Sequence, residues 1–176
     1  MAEHAPIPVL AEPTDVHALL AASLEPLVRQ AAASRVALKI AKLGDVPSFA
    51  FDREKIAWAV TTLVGNALRY VTSGDSRDDA GGSVVVHVAW DASAREASIS
   101  VQDDGPGIPT EKLPFLFERK EGAVHAEGLS LSLVRQIITA HGGRIDVECR
   151  RHPDDHGTSI TIVLPAARGG ELTSAP

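Results

Sequence analysis

The sequence predicts a two-layer α/β sandwich, with helices covering one face of a mixed, mostly antiparallel sheet. Three observations carry that prediction. Two long segments, 16–33 and 53–71, place apolar residues at helical spacing along one side only. Two pairs of short segments alternate apolar and polar residues across turn-forming stretches, the pattern of hairpins. A third helical pattern, 129–140, lies between the two hairpins.

Residues 1–13, with Pro6, Pro8 and Pro13, read as a tail or linker before a folded body spanning 14–165, and 166–176 read as a second tail. Thr14 or Asp15 is placed to cap the first helix, whose apolar face is Leu19, Leu20, Leu24, Leu27 and Val28. Residues 36–40 alternate as a strand. Residues 46–51 form a second short one, where Pro47 implies an edge or entry position. Asp52 then caps the second helix, in which Ile56, Val60, Leu63, Ala67 and Val71 recur every three or four residues.

A polar loop is expected at 72–82. Val84, Val86, Val88 and Trp90 alternate, as do Ala97, Ile99 and Val101, giving a hairpin that turns at 91–95. A short helix is expected at 111–117 and a loop at 118–127. The third helix ends at His141-Gly142-Gly143, where a glycine can take the left-handed cap conformation. The closing hairpin is expected to set Ile145, Val147 and Cys149 opposite Ile160, Ile162 and Leu164.

Composition narrows the function. A chain of 176 residues, 44% hydrophobic and 23% charged, matches a globular domain with a substantial core. The formal charge of −6 argues against a nucleic-acid or anionic-membrane surface as the main interface. The single cysteine, Cys149, cannot form an internal disulfide or a thiolate zinc cluster, which fits a reducing compartment. No signal peptide or membrane-length apolar run is expected.

Two stretches carry chemistry. Thr62, Asn66, Arg69 and Tyr70 line up along one edge of the apolar stripe of the second helix. A carboxamide at such an edge is costly unless it is hydrogen-bonded or binds something, so Asn66 is either a satisfied structural residue or a ligand. The second stretch is Asp103-Asp104-Gly105-Pro106-Gly107-Ile108. A carboxylate ending a strand, beside glycines without β-carbons, can accept from an exocyclic amine such as that of adenine; the same residues also make an ordinary turn. Gly128 stands where the third helix opens, with Ser130 and Ser132 close behind, and free N–H groups at a helix start favour phosphate. Asn66 could give one neutral oxygen to Mg²⁺. His152 and His156 flank Pro153-Asp154-Asp155 and read as a polar hairpin loop rather than a metal site.

In order and spacing these motifs resemble the ATP-binding (Bergerat) fold shared by gyrase, Hsp90, histidine kinases and MutL. Asn66-Ala67-Leu68-Arg69-Tyr70 resembles the N box and Asp103-Asp104-Gly105-Pro106-Gly107-Ile108 the G1 box. Leu116-Phe117-Glu118-Arg119 is similar to the F box of histidine kinases, and Gly128-Leu129-Ser130-Leu131-Ser132-Leu133-Val134 to a worn G2 box. The resemblance implies the catalytic and ATP-binding domain of a sensor histidine kinase. It implies that Asn66 holds Mg²⁺ and Asp103 reads the adenine amine, with Gly105, Gly107 and Ile108 admitting base and ribose. Arg69 and Tyr70 would lie near phosphates or ribose, Gly128, Leu129 and Ser130 under the phosphates, and Thr62 and Arg69 beside Asn66 in the catalytic set. The implied partners are a histidine-bearing dimerisation hairpin and a response regulator, in the cytoplasm, with no membrane contact by this segment.

The sequence also departs from the family. Thr62 replaces the usual Asn of histidine kinases, or Glu of gyrase-like ATPases, and a threonine holds a water but is a poor general base. Lys120 replaces the F-box Phe, and Ala126-Glu127-Gly128-Leu129-Ser130 keeps one G2 glycine of three, after a short lid of residues 120–127. No histidine sits in a phosphoacceptor context. Two readings stay open: a kinase catalytic domain, or a pseudokinase-like module that works by docking.

Overall fold

The computed structural model of the protein describes residues 7–73, 82–118, 126–152 and 155–166. In chain order the elements are β1 (Glu12–Thr14), α1 (Val16–Ala33), β2 (Ala37–Leu43), β3 (Phe49–Phe51), α2 (Arg53–Ser73), β4 (Ser83–Asp91) and β5 (Glu96–Asp103). A single 3-10 turn at Leu113–Phe115 comes next, then α3 (Ala126–Ala140), β6 (Arg144–His152) and β7 (Asp155–Pro165). The main sheet runs β2-β4-β5-β7-β6. Its β2–β4 pair is parallel and its other pairs are antiparallel. β1 and β3 form a separate antiparallel ribbon.

The expected two-layer sandwich arises from which side chains each element buries. In β4, Val84, Val86 and Val88 are fully buried, and across the register β5 supplies Val101 opposite Val86 and Ile99 opposite Val88. This inner face meets Leu20 and Leu24 of α1, Ile56, Val60 and Leu63 of α2, and Val134 and Ile138 of α3 in one core. The outer face is half-buried and polar in part; Ser100 and Thr161 share a 2.6 Å hydroxyl hydrogen bond there. Alternation with period two separates the faces, so the burial pattern and the sequence pattern are the same fact.

Both predicted caps form. Asp15 accepts from the Ala18 amide at 3.1 Å, and Asp52 accepts from the Lys55 amide at 3.1 Å. Gly142 takes φ +70°, and the Gly143 amide reaches back to the Ile138 carbonyl at 2.9 Å, closing α3 as a glycine cap does. His141 at the same corner accepts from the Asp52 amide through Nε2, tying the end of α3 to the start of α2.

Several expectations are corrected. The predicted strands 36–40 and 46–51 are Ala37–Leu43 and Phe49–Phe51, and α2 runs to Ser73. The end of the segment read as a tail is held: Glu12–Thr14 pairs with β3, and the Leu10 amide donates to Asp52 Oδ2 at 3.0 Å. Beyond 165, Ala166 is buried and its amide donates to the Arg95 carbonyl.

The short helix expected at 111–117 is only the turn Leu113–Phe115, because Pro114 has no N–H to donate and the neighbouring bonds are all i to i+3. The third helix begins at Ala126, not at Leu129, since alanine and glutamate are good helix formers. In the last hairpin Ile145 faces Ile162 and Val147 faces Ile160, but Cys149 faces Thr158, while Leu164 pairs with Ala97 of β5. Pairing starts at Arg144 opposite Val163, where Gly143 packs against the Val163 carbonyl too closely for any Cβ. Most of the loops expected at 72–82 and 118–127, including Lys120 and His125, lies outside the described residues.

Candidate functional site

A small cavity, partly open to solvent, lies between α2, the end of β5 and β7. Asn66 and Tyr70 reach it from α2, Asp103 from the last position of β5, Ile108 from the adjoining loop and Thr158 from β7. Leu63, Leu116 and Leu131 make apolar wall. A mostly apolar pocket with a few convergent polar groups is what a flat, partly polar ligand requires.

Asp103 is the centre of this site. Only 6% exposed, it accepts through Oδ1 from the Gly105 amide at 2.9 Å and the Thr158 amide at 3.2 Å. Oδ2 makes no hydrogen bond among the described residues, and the residue lines the cavity. Burial pushes the Asp103 carboxyl above the usual carboxylate range; the Gly105 and Thr158 amides and Arg150 pull it back in part, and Asp104 adds to the rise. A carboxylate kept in this way is costly to the fold unless a ligand uses it.

The glycines of the loop have different reasons. A Cβ on Gly105 would lie 2.9 Å from Asp103 Oδ1. Gly107 has φ +74°, and a Cβ there would meet the Arg150 carbonyl at 2.8 Å and the Cys149 sulfur at 2.9 Å. Both glycines therefore shape the loop against its neighbours, and neither lines the cavity.

On the α2 side, Asn66 is 7% exposed and its Oδ1 accepts a short hydrogen bond from Arg69 Nη2. Tyr70 is partly exposed at the cavity mouth. Thr62 is half-buried one turn before Asn66 and, like Arg69 and Ser130, lies outside the cavity wall. Gly128 and Leu129 fall inside the first turn of α3 rather than at its opening, yet they remain among the four leading residues whose N–H groups have no intrahelical acceptor.

For Mg²⁺ the donor set is a single neutral carboxamide oxygen, and no cluster of three or more His, Cys, Asp or Glu side chains able to hold a metal occurs among the described residues. One such oxygen fits an ion that takes its other ligands from phosphates and water. In this structure that oxygen is engaged by Arg69.

Sequence reasoning missed three residues here. Thr158 is 6% exposed and lines the cavity, and its amide braces Asp103. The signal available was Gly157 inside a strand pattern, which marks close backbone approach. His156 Nδ1 lies 2.9 Å from the Gly105 carbonyl, and Cys149 Sγ accepts from the Ile108 amide at 2.9 Å. Nothing local in the sequence announces either contact.

Residues 51–168, well over half the chain, match the family described as histidine kinase-, DNA gyrase B-, and HSP90-like ATPases, and the chain belongs to that family. Within it, the chain is a catalytic and ATP-binding domain of the sensor histidine kinase kind. It is 32% identical over 129 residues to the adaptive-response sensory kinase SasA of Microcystis aeruginosa, covering 70% of this chain and 31% of that protein. The structure of the mycobacterial sensor histidine kinase MprB superposes with a TM-score of 0.69 at 26% identity, covering 92% of this chain and 100% of that one. Full-length ShkA in complex with AMPPNP gives a TM-score of 0.78 at 21% identity, covering 98% of this chain and 34% of that one. The chain thus spans about a third of the length of the curated relative it matches. No helix among the described residues is long and apolar enough to cross a membrane.

Proposed function

We propose that this domain, about residues 14–165, binds Mg-ATP in the cavity and supplies the γ-phosphoryl for transfer to a histidine on a separate dimerisation hairpin. The observation that carries the reading is Asp103: a buried carboxylate lining a mostly apolar cavity, with one oxygen held by two backbone amides and the other without a hydrogen bond among the described residues. Oδ2 accepts from the exocyclic amine, and the apolar walls from α2, the loop and α3 take the base. Tyr70 lies at the mouth, on the ribose and phosphate side. Gly105, Gly107 and Ile108 form the loop that leaves room for base and ribose.

Asn66 would hold the metal, with Arg69 moving from the carboxamide to a phosphate. Bound there, Mg²⁺ would neutralise charge on the β- and γ-phosphates. Gly128 and Leu129 present leading N–H groups of α3 to the phosphates, with Ser130 one position behind them. Thr62 holds a water beside Asn66. The domain contributes positioning and charge rather than a covalent intermediate, in keeping with phosphoryl transfer generally. The whole protein then passes its phosphoryl group to a response regulator, in the cytoplasm.

A docking module with little turnover is the second reading. It is favoured by the phosphate end, where the helix already begins at Ala126 and residues 126–130 hold one glycine. Calorimetric titration with ATP and ADP, each with and without Mg²⁺, separates the two. ATP binding strengthened by Mg²⁺ supports the kinase reading. Binding of both nucleotides that ignores Mg²⁺ and the γ-phosphate supports the second, and no binding removes the nucleotide site.

A further inference from the structure

The loop 103–108 is gripped from one side by the end of the β6–β7 hairpin. At Gly105, the carbonyl lies 2.9 Å from His156 Nδ1. At Ile108, both backbone groups meet one thiol: the amide donates to Cys149 Sγ at 2.9 Å, and the thiol donates to the Ile108 carbonyl at 3.4 Å. Between them, Gly107 sits so close to Cys149 and Arg150 that a Cβ would collide with both. At the start of the loop, Gly157 is pressed against the Asp103 carbonyl, and the next residue, Thr158, donates its amide to Asp103 Oδ1.

We infer that the hairpin end is the positioning element of the adenine site, with His156 and Cys149 its side-chain hydrogen-bond contacts to the loop among the described residues. The inference rests on the nucleotide-binding reading above and assigns the selectivity of that site to residues outside the cavity wall. Neither His156 nor Cys149 lines the cavity. His156 acts on Asp103 through Gly105, and Cys149 holds the far end of the same loop at Ile108. The Gly105 amide that bonds Asp103 Oδ1 belongs to the residue whose carbonyl His156 holds, so the grip on Gly105 fixes which way the second carboxylate oxygen points. The Gly105 carbonyl only accepts, so His156 donates to it through Nδ1–H. The cysteine thiol is both donor and acceptor, which matches the paired amide and carbonyl of Ile108.

The test compares ADP with purine riboside 5′-diphosphate, whose base lacks the 6-amino group, by calorimetry on the wild-type chain and on His156→Ala, His156→Asn and Cys149→Ala. Loss of one neutral hydrogen bond corresponds to about a fivefold change in affinity. His156→Ala is expected to weaken ADP about fivefold, leave the purine analogue nearly unchanged and so narrow the preference between them. Cys149→Ala is expected to act in the same direction. His156→Asn, whose Nδ2 lies close to the place of Nδ1, restores the preference.

Wild-type affinities and preference in both alanine variants would overturn the inference and leave the nucleotide reading standing. Equal weakening of both ligands would overturn it also, since a merely structural role lowers both together. A wild-type chain that binds neither ligand removes the nucleotide reading and the inference with it.

Discussion

Asp52 and Asp103 are both buried aspartates where a strand gives way to another element, one to a helix and the other to a loop, and they are held in opposite ways. Asp52, 4% exposed, has both oxygens occupied: Oδ1 by the Lys55 amide, and Oδ2 by the Leu10 amide and by Lys55 Nζ at 2.7 Å. Burial pushes its carboxyl up, but the Lys55 side chain and the two amides outweigh that and hold it down at about 2. Asp103 is similarly buried, with two amides on one oxygen and no cationic hydrogen-bond partner among the described residues, and burial wins. The first is a solved electrostatic problem and belongs to the fold. The second is left open and belongs to the site.

The largest expected effect comes from Asp103→Asn. It replaces the carboxylate that lines the cavity with a carboxamide, whose NH₂ group would oppose the amine of the proposed adenine ligand. ADP affinity is expected to fall about 30-fold, from loss of a charge-assisted bond worth about 2 kcal/mol. Thermal stability should hold or rise, because the burden of a buried charge is lifted. Calorimetric titration together with a melting curve reads both, and lower stability with unchanged affinity would reverse the contrast between the two aspartates.

Asp52→Ala is the converse. Removing the cap and the Lys55 pairing is expected to cost about 2 kcal/mol in denaturant unfolding, while ADP affinity in the folded protein stays as in the wild type.

The pH dependence separates the pair next. Asp52 has a folded value below its ordinary 3.8, so its contribution is complete above that value and is lost as pH falls toward about 2. Asp103 is shifted the other way: its burden is absent where it is protonated in both states and grows as pH rises above 3.8. The stability gain of Asp103→Asn over the wild type is therefore expected to appear only as pH climbs through that range. A gain independent of pH would rule out charge burial as its cause.

The smallest effect is expected from Lys55→Met, about 1 kcal/mol or less, because the Asp52 carboxylate keeps both amides. Its acid unfolding midpoint should move up, with nucleotide affinity untouched. At the phosphate end, Asn66→Ala should leave ADP affinity without Mg²⁺ nearly unchanged and remove the part that Mg²⁺ adds; calorimetry with and without the ion checks this.

Much of this was legible in the sequence because it depends on neighbours along the chain. Helical spacing in 53–71, alternation in the hairpin 83–103, the caps Asp15 and Asp52, and the glycine stop after His141 each set a local structure that burial then kept. Asp103 and Asn66 were recognisable because a carboxylate at a strand end beside glycines, and a carboxamide beside an apolar stripe, are expensive features that need a reason. Their joint placement in one cavity agrees with that reading.

What the tertiary structure alone decided are contacts between residues far apart in the chain. The pairing of β1 with β3 makes a strand of residues that read as a tail, because three residues form a strand only when a partner strand is present. The offset of β6 on β7 put Cys149 opposite Thr158, and the hairpin end then brought Cys149 and His156, neither of which the sequence assigns to this site, onto the loop at Ile108 and Gly105. Periodicity records which side of an element is buried, but not which element lies against it. Register and packing settle that, and with it the direction in which the carboxylate of Asp103 faces.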